Sequence, residues 1–254
     1  MKKTLLSVFV LIILFSFSCK KDDPTNGTVE VNIVHKVGGE NLVRDEMKYD
    51  SPAGHQFSVT TLKYYLSHIQ LLKSGDDFEL EKFHYVDLDD GNTMRIKISN
   101  VAPGKYNKLK LTFGIPRTEN IASNLPNTVA NQNMLWPQPL HSTDIDPSGD
   151  YHYMQYEGRY DSLKTGNILT YKIHLGPTYG NDNSFSVTLP IDEVNVDGNN
   201  WSIDLNVDLL EWLQNPEIYD YHQFGEAIMP KQNAQEYLKA NGASVFSIGS
   251  VTAK

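Results

Sequence analysis

Strict alternation of side chains from residue 29 to residue 37 is the feature that most constrains the fold. Val29, Val31, Ile33, His35 and Val37 fall on one face of an extended chain. A period of two residues is typical of a β-strand that buries one face and exposes the other. The segment therefore predicts a strand whose inner face carries a histidine.

Short β-rich runs separated by turn residues continue along the chain. Residues 115–150 lack periodicity and predict a long irregular loop, of a length that is commonly functional. Asp208 is expected to cap the first of two helices, and Asn241-Gly242 to close the second. The predicted helices cover residues 209–213 and 231–240, and the further predicted strands cover residues 57–72, 83–88, 94–98, 106–113, 151–157, 168–175, 185–189, 201–207 and 244–248. This pattern predicts an all-β fold, an antiparallel β-sandwich or barrel-like domain with two short C-terminal helices.

The N-terminus has the layout of an export signal. Lys2 and Lys3 precede a short apolar run, which is followed by Cys19, the single cysteine of the chain. The run is too short for a transmembrane helix and is typical of a secretory signal. With Ser18 before it, Cys19 resembles the cleavage box of bacterial lipoproteins. We expect residues 1–19 to be a signal peptide ending at a lipidated Cys19.

The residues after Cys19 predict attachment to a membrane surface. The polar segment 20–27 contains Pro24 and Gly27 and predicts a flexible tether, and residues 28–254 predict a single domain. The Cys-Lys-Lys-Asp-Asp start resembles the export signal of surface lipoproteins in Bacteroidetes. We therefore expect an outer-membrane lipoprotein, held through its lipid anchor on the periplasmic or cell-surface face.

Charge and motif content exclude several classes of function. The formal net charge is -9 and no block of Lys or Arg stands out, which argues against nucleic-acid binding. Lipidation would occupy the only thiol, so neither a disulfide nor a cysteine-metal site is expected. The chain lacks Gly-x-Ser-x-Gly, His-Glu-x-x-His and glycine-rich phosphate-loop sequences. We therefore expect a protein that is not an enzyme.

Residues 133–176 contain the candidate chemistry. Trp136, His152 and His174 occur there, and imidazole is the side chain that transition metals most readily recruit. In the strand predicted over 168–175, His174 lies opposite the larger apolar face. His35 shares the apolar face of the first strand, where a histidine is usually a hydrogen-bonded core residue. No pair of histidines has the short sequence spacing typical of a metal site. Metal ligation and a structural role therefore both stay open for these histidines.

An ordered set of segments carries a family resemblance. These segments are Val-His-Lys-Val-Gly-Gly-Glu-Asn-Leu (34–42), Thr-Leu-Lys-Tyr-Tyr-Leu-Ser-His-Ile-Gln-Leu (61–71), Leu-Thr-Phe-Gly-Ile-Pro (111–116), Met-Leu-Trp-Pro (134–137), Tyr-His-Tyr-Met (151–154), His-Leu-Gly (174–176) and the tail 240–249. In this order the chain resembles the MbnP-like copper-associated proteins over nearly all of residues 28–250.

The resemblance implies an exported, β-rich protein that binds copper in copper acquisition or storage. Some relatives hold one copper through histidines and a tryptophan oxidised to kynurenine by a di-haem cytochrome c peroxidase-like partner. By motif, Trp136 matches that tryptophan and His174 matches the His-Leu-Gly histidine. Relatives often have a histidine where this chain has the segment 117–120, and a second tryptophan where it has Pro137. His152 and, as a third ligand, His35 are the candidates to replace the missing groups.

Two other functions remain open from the sequence. Fourteen tyrosines and three tryptophans could form a platform on a surface-exposed binding or scaffold lipoprotein that recognises glycan or protein without metal, although aromatic residues also fill β-sheet cores. A hydrolase is the third candidate, but no nucleophile–base pair can be named. The spatial proximity of Trp136, His152 and His174 discriminates between the metal site and the binding platform.

Overall fold

The computed structural model describes residues 23–74, 76–136 and 150–254. Within these ranges the strands are β1 (Gly27–Val37), β2 (Glu40–Asn41), β3 (Tyr49–Asp50), β4 (Gln56–Lys73), β5 (Asp76–Asp87), β6 (Arg95–Val101), β7 (Gly104–Phe113), β8 (Met154–Asp161), β9 (Ile168–Leu175), β10 (Phe185–Val196), β11 (Asn200–Asp208) and β12 (Phe246–Ala253). The α-helices are α1 (Val129–Gln132), α2 (Tyr221–Phe224) and α3 (Gln232–Val245).

The strands form two sheets. The first sheet has the order β12-β11-β1-β2, and β6 also pairs with β1. The second sheet has the order β10-β7-β4-β8-β9, and β3 and β5 also pair with β4. The β1–β11 pair is parallel, whereas the other strand pairs among the described residues are antiparallel. Apart from this parallel pair, the arrangement confirms the predicted all-β sandwich.

One core lies between the two sheets. Alternate residues of β1 are buried, as the sequence predicted, with Val29 and Val31 fully inaccessible. Across the core, the ring of His35 lies 5.8 Å from that of Tyr64, and the ring of Phe113 lies 6.0 Å from that of Phe246. Face-to-face packing of this kind buries the inward side of the long strands.

The C-terminal helices differ from the prediction in length. The segment predicted as a helix over 209–213 contains only a 3₁₀ turn at Glu211–Leu213. Helix α3 runs past the expected stop at Asn241-Gly242, because the Asn241 amide donates to the carbonyl of Trp212 at 2.8 Å. Gly242 also lets the helix approach β10 closely, since a Cβ at this position would overlap the ring of Phe185. Tertiary contacts therefore override the local stop signal.

The predicted export signal lies in a part of the chain that the structure does not describe. Cys19 and the signal peptide predicted over residues 1–19 lie outside the described residues, as does the first part of the tether. Among the described residues, no helix combines the length and apolar character needed to cross a membrane.

Candidate metal centre

The centre is built where strand β4 changes its hydrogen-bonding partner. Tyr64 pairs with Met154 of β8, and Leu66 pairs with Phe113 of β7 on the same edge. Between them, the Tyr65 N–H donates to Tyr153 O at 3.0 Å and Tyr65 O accepts from the Gly114 N–H at 2.8 Å. The chain between β7 and β8 therefore leaves the sheet and returns to it at one residue of β4.

Residues 134–136 return alongside residues 150–152. The N–H of Trp136 donates to Asp150 O, and the N–H of His152 donates to Met134 O, each at 2.7 Å. The ring of His152 makes a second bond to the same carbonyl, from Nδ1 to Met134 O at 2.9 Å. A carbonyl only accepts, so Nδ1 carries the proton and Nε2 has a free lone pair. Nε2 is buried and has no hydrogen-bond partner.

His174 approaches from the neighbouring strand with the opposite tautomer. It pairs with Gln155 across the β8–β9 ladder, and its Nε2 donates to Glu157 Oε1 at 2.6 Å. The remaining nitrogen, Nδ1, is buried and has no hydrogen-bond partner. Each imidazole is thus hydrogen-bonded through one ring nitrogen, and its other ring nitrogen has no partner.

The indole of Trp136 completes the cluster. Its ring centroid lies 4.6 Å from that of His152 at an interplanar angle of 73°, and the rings of His152 and His174 are 5.0 Å apart at 80°. Trp136 and His152 are 3% and 5% exposed, and the His174 side chain is 11% exposed. The indole Nε1 is also buried without a partner. The structure therefore brings together three of the residues that the sequence singled out.

These orphaned nitrogens fit a transition-metal ion. Buried polar atoms are normally hydrogen-bonded, so three unpaired nitrogens on contacting rings need a physical reason. Two of them are imidazole lone pairs, the donors that copper and zinc accept. Hydrogen bonds at the opposite ring nitrogens, such as those to Met134 O and Glu157, are the usual means of orienting metal-binding histidines. The indole N–H cannot ligate a metal in its unmodified form.

The protonation states of His152 and Glu157 favour cation binding. Burial lowers the pKa of His152 from 6.5 to about 4. The hydrogen bond from His174 holds the pKa of Glu157 below its usual value. At neutral pH, His152 is therefore uncharged, as a metal-binding imidazole must be, and Glu157 is ionised and accepts the hydrogen bond from His174.

His35 lies in a different environment. Its Nε2 lies 2.9 Å from the hydroxyl of Tyr64 in the core between the sheets, and burial lowers its pKa to about 4. Its ring contact is with Tyr64, whereas the ring of His152 contacts Trp136 and His174. The structure thus places His35 as a hydrogen-bonded core residue and does not bring it into the cluster of the other two histidines.

Comparison with known proteins places this chain in a family. The sequence profile of the MbnP family matches residues 26–230. The chain belongs to the MbnP family. This confirms the resemblance found in the sequence, and the family is one associated with copper.

A solved structure supports the same assignment at the level of the fold. MbnP from Methylosinus trichosporium superposes with a TM-score of 0.50 and 12% sequence identity, covering 90% of this chain and 99% of that chain. At this identity the likeness establishes a shared fold. Among curated protein sequences, no significant match was found.

A second histidine cluster in this MbnP domain was not predicted from the sequence. His55, Asp220 and His222 place one potential ligand atom each within 4.8 Å of one another. However, Nδ1 of His55 accepts from the Leu163 N–H at 3.0 Å, so its proton resides on Nε2, which donates to Asp220 at 3.1 Å. A metal at Nε2 would displace that proton while Nδ1 still faces a donor. The cluster is therefore a hydrogen-bonded pair with a neighbouring imidazole. The short spacing between Asp220 and His222 was its only signal in the sequence.

Proposed function

We propose that this protein is an exported copper-binding protein that acts in copper acquisition or storage and is not an enzyme. His152 and His174 are the metal ligands in this proposal, through Nε2 and Nδ1 respectively. Trp136 is the aromatic residue beside them that is open to modification. Membership of a copper-associated family supports the choice of copper over other metals that imidazole binds.

The single observation that carries the proposal is the pair of bare, buried imidazole nitrogens on contacting rings. Buried His84, by contrast, uses both ring nitrogens, with Glu81 at 3.0 Å and the carbonyl of Thr93 at 2.7 Å. His152 and His174 each use one. A bound cation would supply the partner that these free lone pairs lack.

Copper reconstitution tests the proposal. Purified protein beginning at Lys20 would be loaded with copper, freed of excess metal by gel filtration and measured for copper per chain. We expect a stoichiometric amount in the wild-type protein and a loss in His152→Ala and His174→Ala. His84→Ala is the matched control, because it also removes a carboxylate-paired imidazole but leaves the cluster intact. A wild-type protein without stoichiometric copper would refute the proposal.

Trp136 is the proposed substrate of a di-haem cytochrome c peroxidase-like partner. Oxidative opening of its indole would replace an N–H that cannot ligate with an aromatic amine and a carbonyl, both able to approach a metal. The burial of Nε1 without a partner and the contact with His152 support this role. Intact-mass analysis of protein from its native host tests it. Unmodified Trp136 there would remove the kynurenine step and leave the histidine site to be judged by reconstitution.

The proposed location is the outer membrane, on the periplasmic or cell-surface face. The support is the sequence of residues 2–19, which ends in Cys19. Replacing Cys19 with Ser should abolish labelling by a fatty-acid analogue and release the protein from the membrane fraction. Retention of the label in the variant would contradict lipidation at this residue.

An alternative function is recognition of glycan or protein without metal. The aromatic residues give this function little support, because Trp136, Trp212 and many of the tyrosines are buried and cannot contact a partner. The observation in its favour is the hairpin between β8 and β9, where Leu163 and Ile168 are 57% and 47% exposed. A partner captured by the wild-type protein and lost in Leu163→Ser, with copper content unchanged, would support this alternative.

A further inference from the structure

We propose that Glu157 is a positioning residue that determines which nitrogen of His174 is free to bind metal. This inference rests on the proposed copper site for its purpose, but its physical basis is a hydrogen bond within the metal-free protein. His174 Nε2 donates to Glu157 Oε1 at 2.6 Å. Because a carboxylate of this kind only accepts, it selects the tautomer that is protonated at Nε2 and bare at Nδ1.

Strand register makes this contact possible. His174 pairs with Gln155, and Glu157 pairs with Lys172, so Glu157 and His174 are diagonal neighbours on the same face of the β8–β9 ladder. Side chains in this relation are within reach of each other when one of them is long. The glutamate therefore contacts the imidazole from the side, and Nδ1 is left for the interior of the cluster.

The side chain of Glu157 lies between a solvent-exposed cleft and the more buried imidazole of His174. Its side chain is 30% exposed and lines a cleft of about 310 Å³ together with Arg159 and Lys172. The imidazole that it holds is 11% exposed. A substitution of Glu157 therefore does not force a new polar group into the core, and its effect on His174 can be read separately from the stability of the fold.

A second carboxylate–histidine pair shows why the bond alone does not make a metal site. Glu81 contacts Nδ1 of His84, but Nε2 of that ring faces the carbonyl of Thr93 at 2.7 Å. Both nitrogens of His84 are thus engaged. In the Glu157–His174 pair the carboxylate holds one nitrogen and the other has no partner, which is the arrangement that a ligand requires.

Two substitutions separate the hydrogen bond from the charge. Glu157→Gln keeps an oxygen that can accept from Nε2 but removes the negative charge, and Glu157→Leu removes both. In metal-free protein labelled with ¹⁵N-histidine, ring-nitrogen shifts should show His174 protonated at Nε2 in the wild type and in Glu157→Gln. In Glu157→Leu we expect a mixture of tautomers and a copper dissociation constant raised by ~10–100-fold, with the glutamine variant recovering most of this loss.

Glu81→Leu is the matched control, since it removes the carboxylate beside His84 and should leave both the His174 tautomer and the copper affinity unchanged. A Glu157→Leu protein that keeps the wild-type tautomer would overturn the inference, as would a glutamine variant that behaves like the leucine variant. If the wild-type protein binds no copper, the proposed function fails. The tautomer measurement on metal-free protein still decides the role of Glu157.

Discussion

The indole of Trp136 lies directly against the backbone of Gly176. A Cβ at residue 176 would fall 2.5 Å from Cζ3 of the indole, so glycine is the residue that leaves room for the ring. Gly176 comes two residues after His174 at the end of β9. The His-Leu-Gly sequence thus supplies an imidazole and the surface on which the neighbouring tryptophan packs.

Gly176→Ala should therefore disturb the cluster. We expect the free energy of unfolding to fall by ~1–3 kcal/mol because the added methyl group overpacks the site, and copper affinity to fall with it. Urea unfolding and copper titration measure the two effects. Gly91→Ala is the control, since nothing lies within 4 Å of a Cβ there. Equal stability of the two variants would contradict the packing described for Trp136.

Stability should decrease as the pH falls from 7.5 to 5. The pKa of His35 is lowered to about 4 by burial, below the value of ~6.5 expected in the unfolded chain. The unfolded state therefore takes up the proton first as the pH falls. The stabilising contribution is complete above pH ~6.5 and is lost as the pH falls towards 4, by about 2 kcal/mol per imidazole at pH 5.

His35→Gln tests this pH dependence. Glutamine can still hydrogen-bond the hydroxyl of Tyr64, but it does not titrate. Urea unfolding at pH 7.5 and 5 should show a smaller loss of stability in the variant than in the wild type. His152, whose pKa is also about 4, would account for a remaining loss. An identical pH dependence in both proteins would show that His35 is not held uncharged by the fold.

Asn120 should be needed to hold the backbone next to His152. Its amide donates to Tyr151 O at 3.0 Å and its oxygen accepts from the Tyr151 N–H at 2.8 Å, both in the interior. Asn120→Ala leaves these two groups unpaired, at a cost of ~1–3 kcal/mol each, and should weaken copper binding. Asn124→Ala is the control in the same loop, because its bond to the Glu119 carbonyl is exposed. Similar unfolding curves for the two variants would argue against this role.

The cluster around His55 should not replace the proposed centre. A protein carrying both His152→Ala and His174→Ala retains His55, Asp220 and His222, yet we expect no stoichiometric copper in it. The reason is that His55 Nε2 holds the proton it donates to Asp220. Metal analysis after gel filtration measures this. Copper retained by the double variant and lost on adding Asp220→Ala would place a site in the second cluster.

Much of the fold could be predicted because its strands follow local patterns. The strand predicted over 168–175 has the same bounds as β9, and the alternation of residues 29–37 continues through β1. By contrast, β10 continues to Val196 through Pro190, which a central strand would not tolerate. It does so because β10 lies at a sheet edge and its register shifts after Pro190. That position in the sheet cannot be read from the local sequence.

The aromatic and imidazole side chains of the centre could be predicted from the sequence. The residues that hydrogen-bond to them, or that hold the adjacent backbone, could not. Trp136, His152 and His174 stood out by residue type and by motif. Glu157 and Asn120 did not, because their roles depend on a diagonal contact across two strands and on a loop that returns to Tyr151. The position of His35 was ambiguous for a related reason. Alternation shows that a side chain points inward, but it does not show which residue of the opposite sheet it meets.

The change of partner along β4 has a consequence for how this domain can be altered. The excursion from Gly114 to Tyr153 begins and ends on the backbone of Tyr65. Its endpoints are therefore fixed by the sheet, independently of what lies between them. Exposed residues of the excursion, such as Val129, can therefore be exchanged without moving the imidazole of His152. The surface that this excursion presents can thus vary while the centre stays in place.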